Sequence, residues 1–146
     1  MSPTLAPWVL DLIEVRPMLR DDLPEIAKFT PSERLSTLHC HPTIVATMYE
    51  TIIGYASYYL DGTGTFYHGA LRVIESYQRE GVGRRLMGAR IAIARDFHAP
   101  AHHCLVWTHK PIMARLCEQA GMRPIERYDG SRTLYVGNLL DDREAV

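Results

Sequence analysis

The sequence has few cysteines and no long hydrophobic run. Its three cysteines, Cys40, Cys104 and Cys117, are an odd number without a C-x-x-C spacing, which argues against a disulfide framework and a cysteine-type zinc finger. No stretch approaches the roughly 20 apolar residues of a membrane span. The first eight residues contain neither a basic segment nor a long apolar one. We therefore expect an untargeted protein of the reducing cytoplasm that does not bind membranes.

An excess of charge of either sign is also missing. Sixteen Lys and Arg stand against seventeen Asp and Glu, a net charge of −1, so no uniform field attracts nucleic acid. With 146 residues, of which 47% are hydrophobic, the chain can bury roughly two-thirds of its unfolded surface without disulfides or a metal. Repeats, low-complexity blocks and Gly/Ser linkers are absent from the sequence. We predict one domain over residues 1–146, with 141–146 as a frayed tail.

Hydrophobic periodicity and turn residues predict a mixed α/β fold in the order β-α-α-β-β-β-α-β-α-β-β. The predicted strands are 9–15, 43–49, 52–60, 65–75, 104–107, 122–128 and 132–136. The predicted helices are a short one through about Phe29, one that ends before Pro42, one that follows Gly83 and reaches Phe97, and 111–120. The strands 43–49 and 52–60 should form a hairpin.

Two helix boundaries carry specific capping signals. Thr30, Pro31 and Glu33 match a capping box, with Thr30 at N-cap, Pro31 at N1 and Glu33 at N3. Gly121 follows the last predicted helix and should be its C′ residue. Both signals place a chain reversal next to a helix end.

The helix that reaches Phe97 is strongly amphipathic. Its apolar stripe, which we expect to be buried, consists of Val82, Leu86, Ala89, Ile93 and Phe97, with Met87 and Ala94 at the margin. Arg84 and Arg95 lie opposite. Arg90 falls near the edge of the stripe, where its stem can cover apolar surface while its guanidinium reaches water.

The segment before this helix, Gln78-Arg79-Glu80-Gly81-Val82-Gly83-Arg84, has the features of an anion site. Two glycines allow a tight turn and a close approach to a ligand, and first-turn N–H groups have no intrahelical acceptor. The helix dipole and nearby arginines add positive potential, which favours a phosphate or pyrophosphate. An ordinary strand-to-helix turn is the alternative, because G-x-G alone is a weak signal.

Two other phosphate loops are excluded by the residues present. A dinucleotide-binding fingerprint needs a third glycine, and Leu86 occupies that position. A Walker loop needs a Gly-Lys-Ser/Thr ending, which the chain does not provide here.

Taken together, the sequence resembles the GNAT acyltransferase superfamily over nearly its whole length. The family motif [Q/R]-x-x-G-x-[G/A] is matched by Gln78 to Gly83, and Val73 stands where the family has the last regular residue of its fourth strand. Lys110 to Met122 looks like a degenerate copy of the family's second helix motif. The resemblance implies a mixed, mostly antiparallel sheet of about seven strands flanked by about four helices.

The resemblance also implies a use for these residues. Acetyl-CoA would lay its pantetheine arm along Leu71, Arg72 and Val73, as a peptide adds to a sheet edge. Its pyrophosphate would meet the amides of 79–84, and the predicted cofactor-binding residues also include Gln78 and, at the start of the second motif, Lys110. An N–H near Val73 or Ile74 would polarise the thioester carbonyl.

The implied activity is transfer of an acetyl group from acetyl-CoA to a primary amine by direct attack in a ternary complex. The alternative is a CoA-binding or interaction module that does not catalyse transfer. The acceptor is a small-molecule or peptide amine whose identity the residues do not encode.

Catalytic groups are less clearly marked. His68, on the strand before the motif, is the first choice for the base because histidine titrates near neutral pH, and Glu75 is the second. The alternatives are a half-buried His68, a solvated Glu75 and a water chain that carries the proton. Cys117 occupies the position of the family's tyrosine acid, and could either replace it or be a small buried residue.

Seven histidines raise the question of a metal, which we do not expect. Neighbouring residues on a strand point to opposite faces, and the spacing from His98 to His102 is interrupted by Pro100. The final strand 132–136 could pair across a homodimer if it is an exposed edge, although a capped edge would look the same in sequence.

Overall fold

The computed structural model describes residues 11–78, 80–127 and 129–139. Its strands are β1 (Ile13–Pro17), β2 (Thr43–Met48), β3 (Thr51–Leu60), β4 (Phe66–Val73), β5 (Ala101–Trp107), β6 (Arg123–Arg127) and β7 (Arg132–Asn138). Its α-helices are α1 (Leu23–Ile26), α2 (Ser32–Cys40), α3 (Val82–Asp96) and α4 (Pro111–Gln119). Short 3₁₀ turns flank α1 at Arg20–Asp22 and Ala27–Phe29, and a third, Glu75–Tyr77, lies between β4 and α3.

The described strands form one mixed sheet in the order β1-β2-β3-β4-β5-β7-β6. β4 and β5 run parallel, with Phe66–His68 paired to His102–Cys104. The pairs β1–β2, β2–β3, β5–β7 and β6–β7 are antiparallel. The predicted α/β class, strand number and element order are therefore confirmed.

Contacts divide the chain into two compact units. The first comprises the described chain up to Tyr58 together with Ala70–Leu86, and the second comprises Tyr59–Gly69 with the described chain from Met87 onward. Buried residues of the first core include Ile26, Leu38, Val45, Ile52 and Tyr55. Those of the second include Met87, Cys104, Val106, Cys117, Met122 and Tyr135. A single domain over 1–146 stays a prediction, and the tail 141–146 lies outside the described residues.

In the first unit, the β2–β3 hairpin confirms the predicted one. Tyr49 and Glu50 have φ values of 48° and 71°, as the two central residues of a type I′ turn require. The register changes from Ala46↔Gly54 to Thr47↔Ile52, so Ile53 is the extra residue of a β-bulge. The hairpin thus turns one residue earlier than the polar Glu50-Thr51 pair suggests.

The first strand differs from its prediction. β1 begins at Ile13 and includes Arg16 and Pro17, which the sequence pattern places beyond its end; residues 9–10 lie outside the described part. Pro17 is tolerated because β1 is at the edge of the sheet. Arg16 also holds the Asp22 carboxylate with two hydrogen bonds of 2.7 and 3.0 Å, which ties β1 to the turn before α1.

The capping box predicted at Thr30 is wrong. Pro31, not Thr30, is the N-cap of α2, and no side chain caps this helix. The Thr30 hydroxyl instead donates to the Tyr55 hydroxyl at 3.2 Å in the core. The Thr30 side chain is therefore directed toward Tyr55 on β3 and not toward the N-terminus of α2.

In the second unit, α3 departs from its predicted stripe at two residues. Arg90, expected to reach water, is 0% exposed, and its Nη1 donates to the Gly69 carbonyl at 3.2 Å. Phe97, expected in the core, is 52% exposed. The helix ends because His98 adopts a φ of 58°, and the chain reverses with Ala99 N bonded to Ala94 O.

The end of α4 is as predicted. Gly121 has a φ of 83°, Met122 N bonds to Cys117 O at 2.9 Å, and Gly121 N bonds to Glu118 O at 3.0 Å. These are the two hydrogen bonds of a Schellman motif.

The last two strands form the predicted antiparallel pair, but their places in the sheet correct one expectation. β7 lies between β5 and β6, so 132–136 is not an edge. The edge strand at this end of the sheet is β6, all five residues of which are exposed. Asp129 caps the turn between them by accepting hydrogen bonds from the backbone N–H groups of Ser131 and Arg132. The Ser131 backbone bond, followed by the hydrogen bond from the Arg132 guanidinium, lowers the pKa of Asp129 to about 2. No helix among the described residues is long and apolar enough to cross a membrane.

Candidate functional site

The first unit holds the end of β4, where backbone groups alternate in direction. Ala70 N–H donates to the Ser57 hydroxyl on β3, and Ile74 N–H donates to the Ile53 carbonyl at 2.9 Å. The Arg72 carbonyl lies beside Gly54, which is also on β3. Because successive residues of a strand point their backbone groups to opposite sides, those of Leu71 and Val73 face away from β3.

Two of the residues predicted to offer backbone groups to acetyl-CoA are excluded by this geometry. The Ile74 N–H is already bonded, so it cannot polarise a thioester, and Arg72 points its carbonyl into the sheet rather than toward a ligand. Gln78 Nε2 donates to the Val73 carbonyl at 2.8 Å, which ties the first residue of the motif to the strand. Leu71 and Val73 are therefore the residues whose N–H groups are suitably directed.

The turn after β4 leads directly into α3. Gly81 has a φ of 91°, which L-residues with a side chain rarely adopt, and its carbonyl accepts the first helical bond, from Arg85 N at 3.1 Å. The N–H groups of Val82, Gly83 and Arg84 thus precede Arg85, the first residue whose N–H has an acceptor within the helix. Arg84 is exposed and Glu80 half-buried, while Arg79 lies outside the described residues. The turn has the donors that an anion at a helix N-terminus needs.

His68 lies in the second unit and is buried. Its Nε2 is 2.7 Å from His102 Nδ1, and its Nδ1 is buried without a hydrogen-bond partner among the described residues. Burial, followed by the nearby Arg90 charge, lowers the pKa of His68 far below its ordinary value. Burial likewise lowers the pKa of His102 to about 4. Both rings are therefore neutral at neutral pH, and His102 occupies the Nε2 of His68, so His68 is poorly suited to accept a proton from a substrate.

Cys117 is also in the second unit and is 0% exposed. The hydrogen bond with the Cys104 thiol, followed by burial, raises the pKa of Cys117 above its ordinary value. This favours the interpretation of Cys117 as a small core residue over its use as an acid.

The two remaining predicted residues are exposed. Glu75 begins the 3₁₀ turn that directly follows β4 in the first unit, and Lys110 is the N-cap of α4 in the second. The structure thus brings Leu71, Val73, Gln78 and Gly81–Arg84 into one unit with Glu75. His68, Cys117 and Lys110 belong to the other unit.

The histidines do not form a recognisable metal-binding group within the described ranges. No cluster of three or more His, Cys, Asp or Glu residues there is arranged to hold an ion. His102 is 1% exposed, in contact with His68, while His98 and His109 are exposed.

Two residues with unusual environments escaped the sequence interpretation. His102 precedes the predicted start of β5, and only the two strands together reveal its contact with His68. Arg90 lies at the margin of an apolar stripe, and the signal for burial is the run of apolar residues on both sides of it. Neither residue belongs to a motif.

Comparison with solved structures identifies many proteins of this fold. The ribosomal-protein-S18-alanine N-acetyltransferase of Escherichia coli superposes with a TM-score of 0.76 at 15% identity, over 92% of this chain and 98% of that one. Ard1 from Thermoplasma volcanium gives a TM-score of 0.75 at 17% identity, over 89% and 99%. A GNAT family acetyltransferase from Elizabethkingia anophelis, solved with acetyl-CoA bound, gives 0.71 at 17% identity, over 88% and 99%.

Sequence comparison agrees with the fold. No curated protein matches the chain, but the profile described as "Acetyltransferase (GNAT) family" matches residues 12–122. That range includes the end of β4, the glycine turn, all of α3 and the Gly121 reversal. Because the match covers most of the chain, this protein belongs to the GNAT acetyltransferase family.

Proposed function

We propose that the protein transfers an acetyl group from acetyl-CoA to a primary amine, by direct attack of the amine in a ternary complex. The observation that carries the proposal is the end of β4. There the N–H groups of Leu71 and Val73 face away from β3, and the next turn places the helix N-terminus of Gly81–Arg84 in the same unit. The acetyl-CoA bound to the Elizabethkingia anophelis relative supports this donor.

In this proposal the pantetheine arm lies along the edge of β4 that faces away from β3. Backbone groups of Leu71 and Val73 pair with its amides as they would with a neighbouring strand. The Gln78 side chain holds the Val73 carbonyl at 2.8 Å, which limits movement of that peptide. Because the Ile74 N–H is committed to Ile53, the Val73 N–H is the donor that polarises the thioester carbonyl and stabilises the developing oxyanion.

The diphosphate of the donor binds at the start of α3. The N–H groups of Val82, Gly83 and Arg84 donate to its oxygens, and the helix dipole favours the negative charge there. Gly81 makes this possible, since its φ of 91° turns the chain into the helix. The exposed guanidinium of Arg84 adds a charge that can reach phosphate.

The proton released by the attacking amine needs an acceptor. His68 does not fit, because its ring is buried, is bonded to His102 and has a strongly lowered pKa. We assign the role to Glu75, an exposed carboxylate directly after β4, with solvent beyond it. The CoA thiolate leaves and takes its proton from water, so that buried Cys117 is not required.

A second function has one observation in its favour. The residue at the position of the family's tyrosine acid, Cys117, is fully buried and has a raised pKa. A protein without that acid could bind CoA and not catalyse transfer.

Binding and turnover experiments separate the two functions. Acetyl-CoA binding is measured by calorimetry, and release of the CoA thiol is followed with a panel of polyamines, aminoglycosides, amino acids and peptide N-termini. Amine-dependent thiol release supports the transferase. Saturable binding without turnover on any amine supports the module, and no binding at all contradicts both.

Gly83→Glu tests the diphosphate site directly. An acidic residue in the first turn of α3 complements the helix dipole, so the free protein should be as stable as wild type. The same carboxylate repels a diphosphate, and we expect acetyl-CoA affinity to fall at least about tenfold, or about 1.4 kcal/mol. Gly88→Glu is the matched charge control, because Gly88 is an exposed residue of α3 and a Cβ there would have no atom within 4 Å. Equal affinity in both variants would place the diphosphate elsewhere.

A further inference from the structure

Gly54, in the middle of β3, has no room for a side chain. A Cβ on this residue would lie 2.9 Å from the Arg72 carbonyl oxygen, 3.3 Å from Leu86 Cδ1 and 3.4 Å from Val73 Cα. Its φ is not in the left-handed region, so space rather than backbone conformation requires the glycine. Two of the neighbours are on β4 and the third is on α3.

The backbone around Gly54 fixes β4 at the same point. Ile53, the extra residue of the β-bulge, directs its carbonyl to Ile74 N–H at 2.9 Å, one residue beyond the end of β4. Val73 and Leu86 are both buried, with 9% and 0% of their surfaces exposed. The bulge and the glycine therefore place the last residues of β4 and the first turns of α3 against one short segment of β3.

We infer that Gly54 is a positioning residue that sets the spacing between the two halves of the acyl-CoA site. One half is the outward edge of Leu71 and Val73, which takes the pantetheine arm, and the other is the start of α3, which takes the diphosphate. This inference rests on the proposed function. Gly54 contacts neither ligand group and acts through the peptide of Arg72 and the side chain of Leu86.

The structure gives the size of the expected effect. Ordinary contact with a Cβ begins at 3.4 Å, and the Arg72 oxygen is at 2.9 Å, so Gly54→Ala must displace the end of β4 by about half an ångström. Binding sites tolerate roughly that error, and a misplacement of about 1 Å can cost about a hundredfold. We expect a loss of about tenfold for a ligand that spans both halves.

The test compares ligands that occupy both halves with ligands that occupy one. Acetyl-CoA spans the site, adenosine 3′-phosphate 5′-diphosphate occupies the α3 half, and S-acetylpantetheine occupies the β4 half. In Gly54→Ala, acetyl-CoA should bind about tenfold more weakly, while each fragment stays within about twofold of wild type. Gly88→Ala, at the open position on α3, should change none of the three affinities.

Two results would overturn the inference. One is unchanged acetyl-CoA affinity in Gly54→Ala, and the other is an equal loss for all three ligands, which indicates general damage. If Gly54→Ala does not fold, Leu86→Val trims the α3 side of the same contact, and the same difference between whole donor and fragments is required. Failure of wild type to bind acetyl-CoA contradicts the proposed function itself, and is thereby distinguished from failure of this inference.

Discussion

Replacing Arg90 with methionine should change the stability of the protein far less than replacing it with alanine. Burial lowers the pKa of Arg90 well below its ordinary value, to about 10, which corresponds to about 3 kcal/mol against the buried charge at about 1.36 kcal/mol per pH unit. Methionine removes that penalty and fills most of the volume. It also removes the donors to the Gly69 carbonyl at 3.2 Å and to Met87 Sδ at 3.7 Å, and the carbonyl left without its donor costs about 1–3 kcal/mol. We expect Arg90→Met to lie within about 2 kcal/mol of wild type.

Arg90→Ala adds a cavity to the same lost hydrogen bond. Deleting a large buried side chain costs about 2–4 kcal/mol more, so the two variants should differ by that amount. Urea unfolding at pH 7 measures both, with Arg95→Met, at an exposed position of α3, as the control within about 0.5 kcal/mol of wild type. A methionine variant as unstable as the alanine variant would refute the reasoning, since the charge of Arg90 would then stabilise the fold by more than its burial costs.

Three further outcomes are expected. The pKa of His102 is lowered from 6.5 to about 4, so the stability that its neutral form contributes is complete above pH 6.5 and is lost as the pH falls through 4, while the lowered pKa of His68 extends the loss to lower pH. Unfolding at a series of pH values should show a loss of about 3 kcal/mol from His102 between pH 6.5 and 4, and His102→Gln should reduce that dependence. Gly137→Ala should destabilise the protein by about 2 kcal/mol or more, because the added Cβ would collide with the His102 ring. Gly130→Ala, at a position with open space around it, is the control and should have almost no effect. Similar melting temperatures for the two variants in thermal unfolding would be inconsistent with this contact. Cys117→Ala should leave kcat within about twofold and lower stability by about 1 kcal/mol, and a hundredfold fall in kcat would show instead that the thiol acts as an acid.

Element order was predictable because it depends on local patterns. The β2–β3 hairpin, the α3 amphipathic stripe and the Gly121 reversal each follow from residues within one segment. The sequence-based predictions are wrong where a side chain forms a hydrogen bond with a group that is distant in the sequence. Thr30 has the side chain of a helix cap, but it lies in the core, where its hydroxyl donates to the Tyr55 hydroxyl, 25 residues away in the chain. Arg90 lies at the edge of the apolar stripe of α3 in the sequence pattern. In the structure it is buried, and its guanidinium donates to the Gly69 carbonyl, 21 residues away in the chain.

In the candidate site, too, the features that depend on local sequence could be predicted and those that depend on distant residues could not. The glycine turn can be predicted because its chemistry resides in backbone N–H groups, and the direction of these groups follows from a helix start and a positive φ at Gly81. A catalytic side chain cannot be assigned in this way, since its usefulness depends on burial and charge. His68 is on the expected strand, but burial lowers its pKa and His102 occupies its Nε2, so it is poorly suited to accept a proton.

Gly54 is a residue whose structural role the sequence indicates only in part. An isolated glycine inside a strand pattern indicates a bulge or a close approach of another backbone, and both occur here. The sequence does not say which backbone approaches. Once the Arg72 carbonyl is placed beside Gly54, alternation along β4 requires the backbone groups of Val73 to face the other way, which is why we propose Val73 rather than Ile74 as the donor to the thioester. The missing Cβ of Gly54 leaves room for the Arg72 carbonyl, and alternation along β4 then directs the Val73 N–H away from β3, as the proposed chemistry requires.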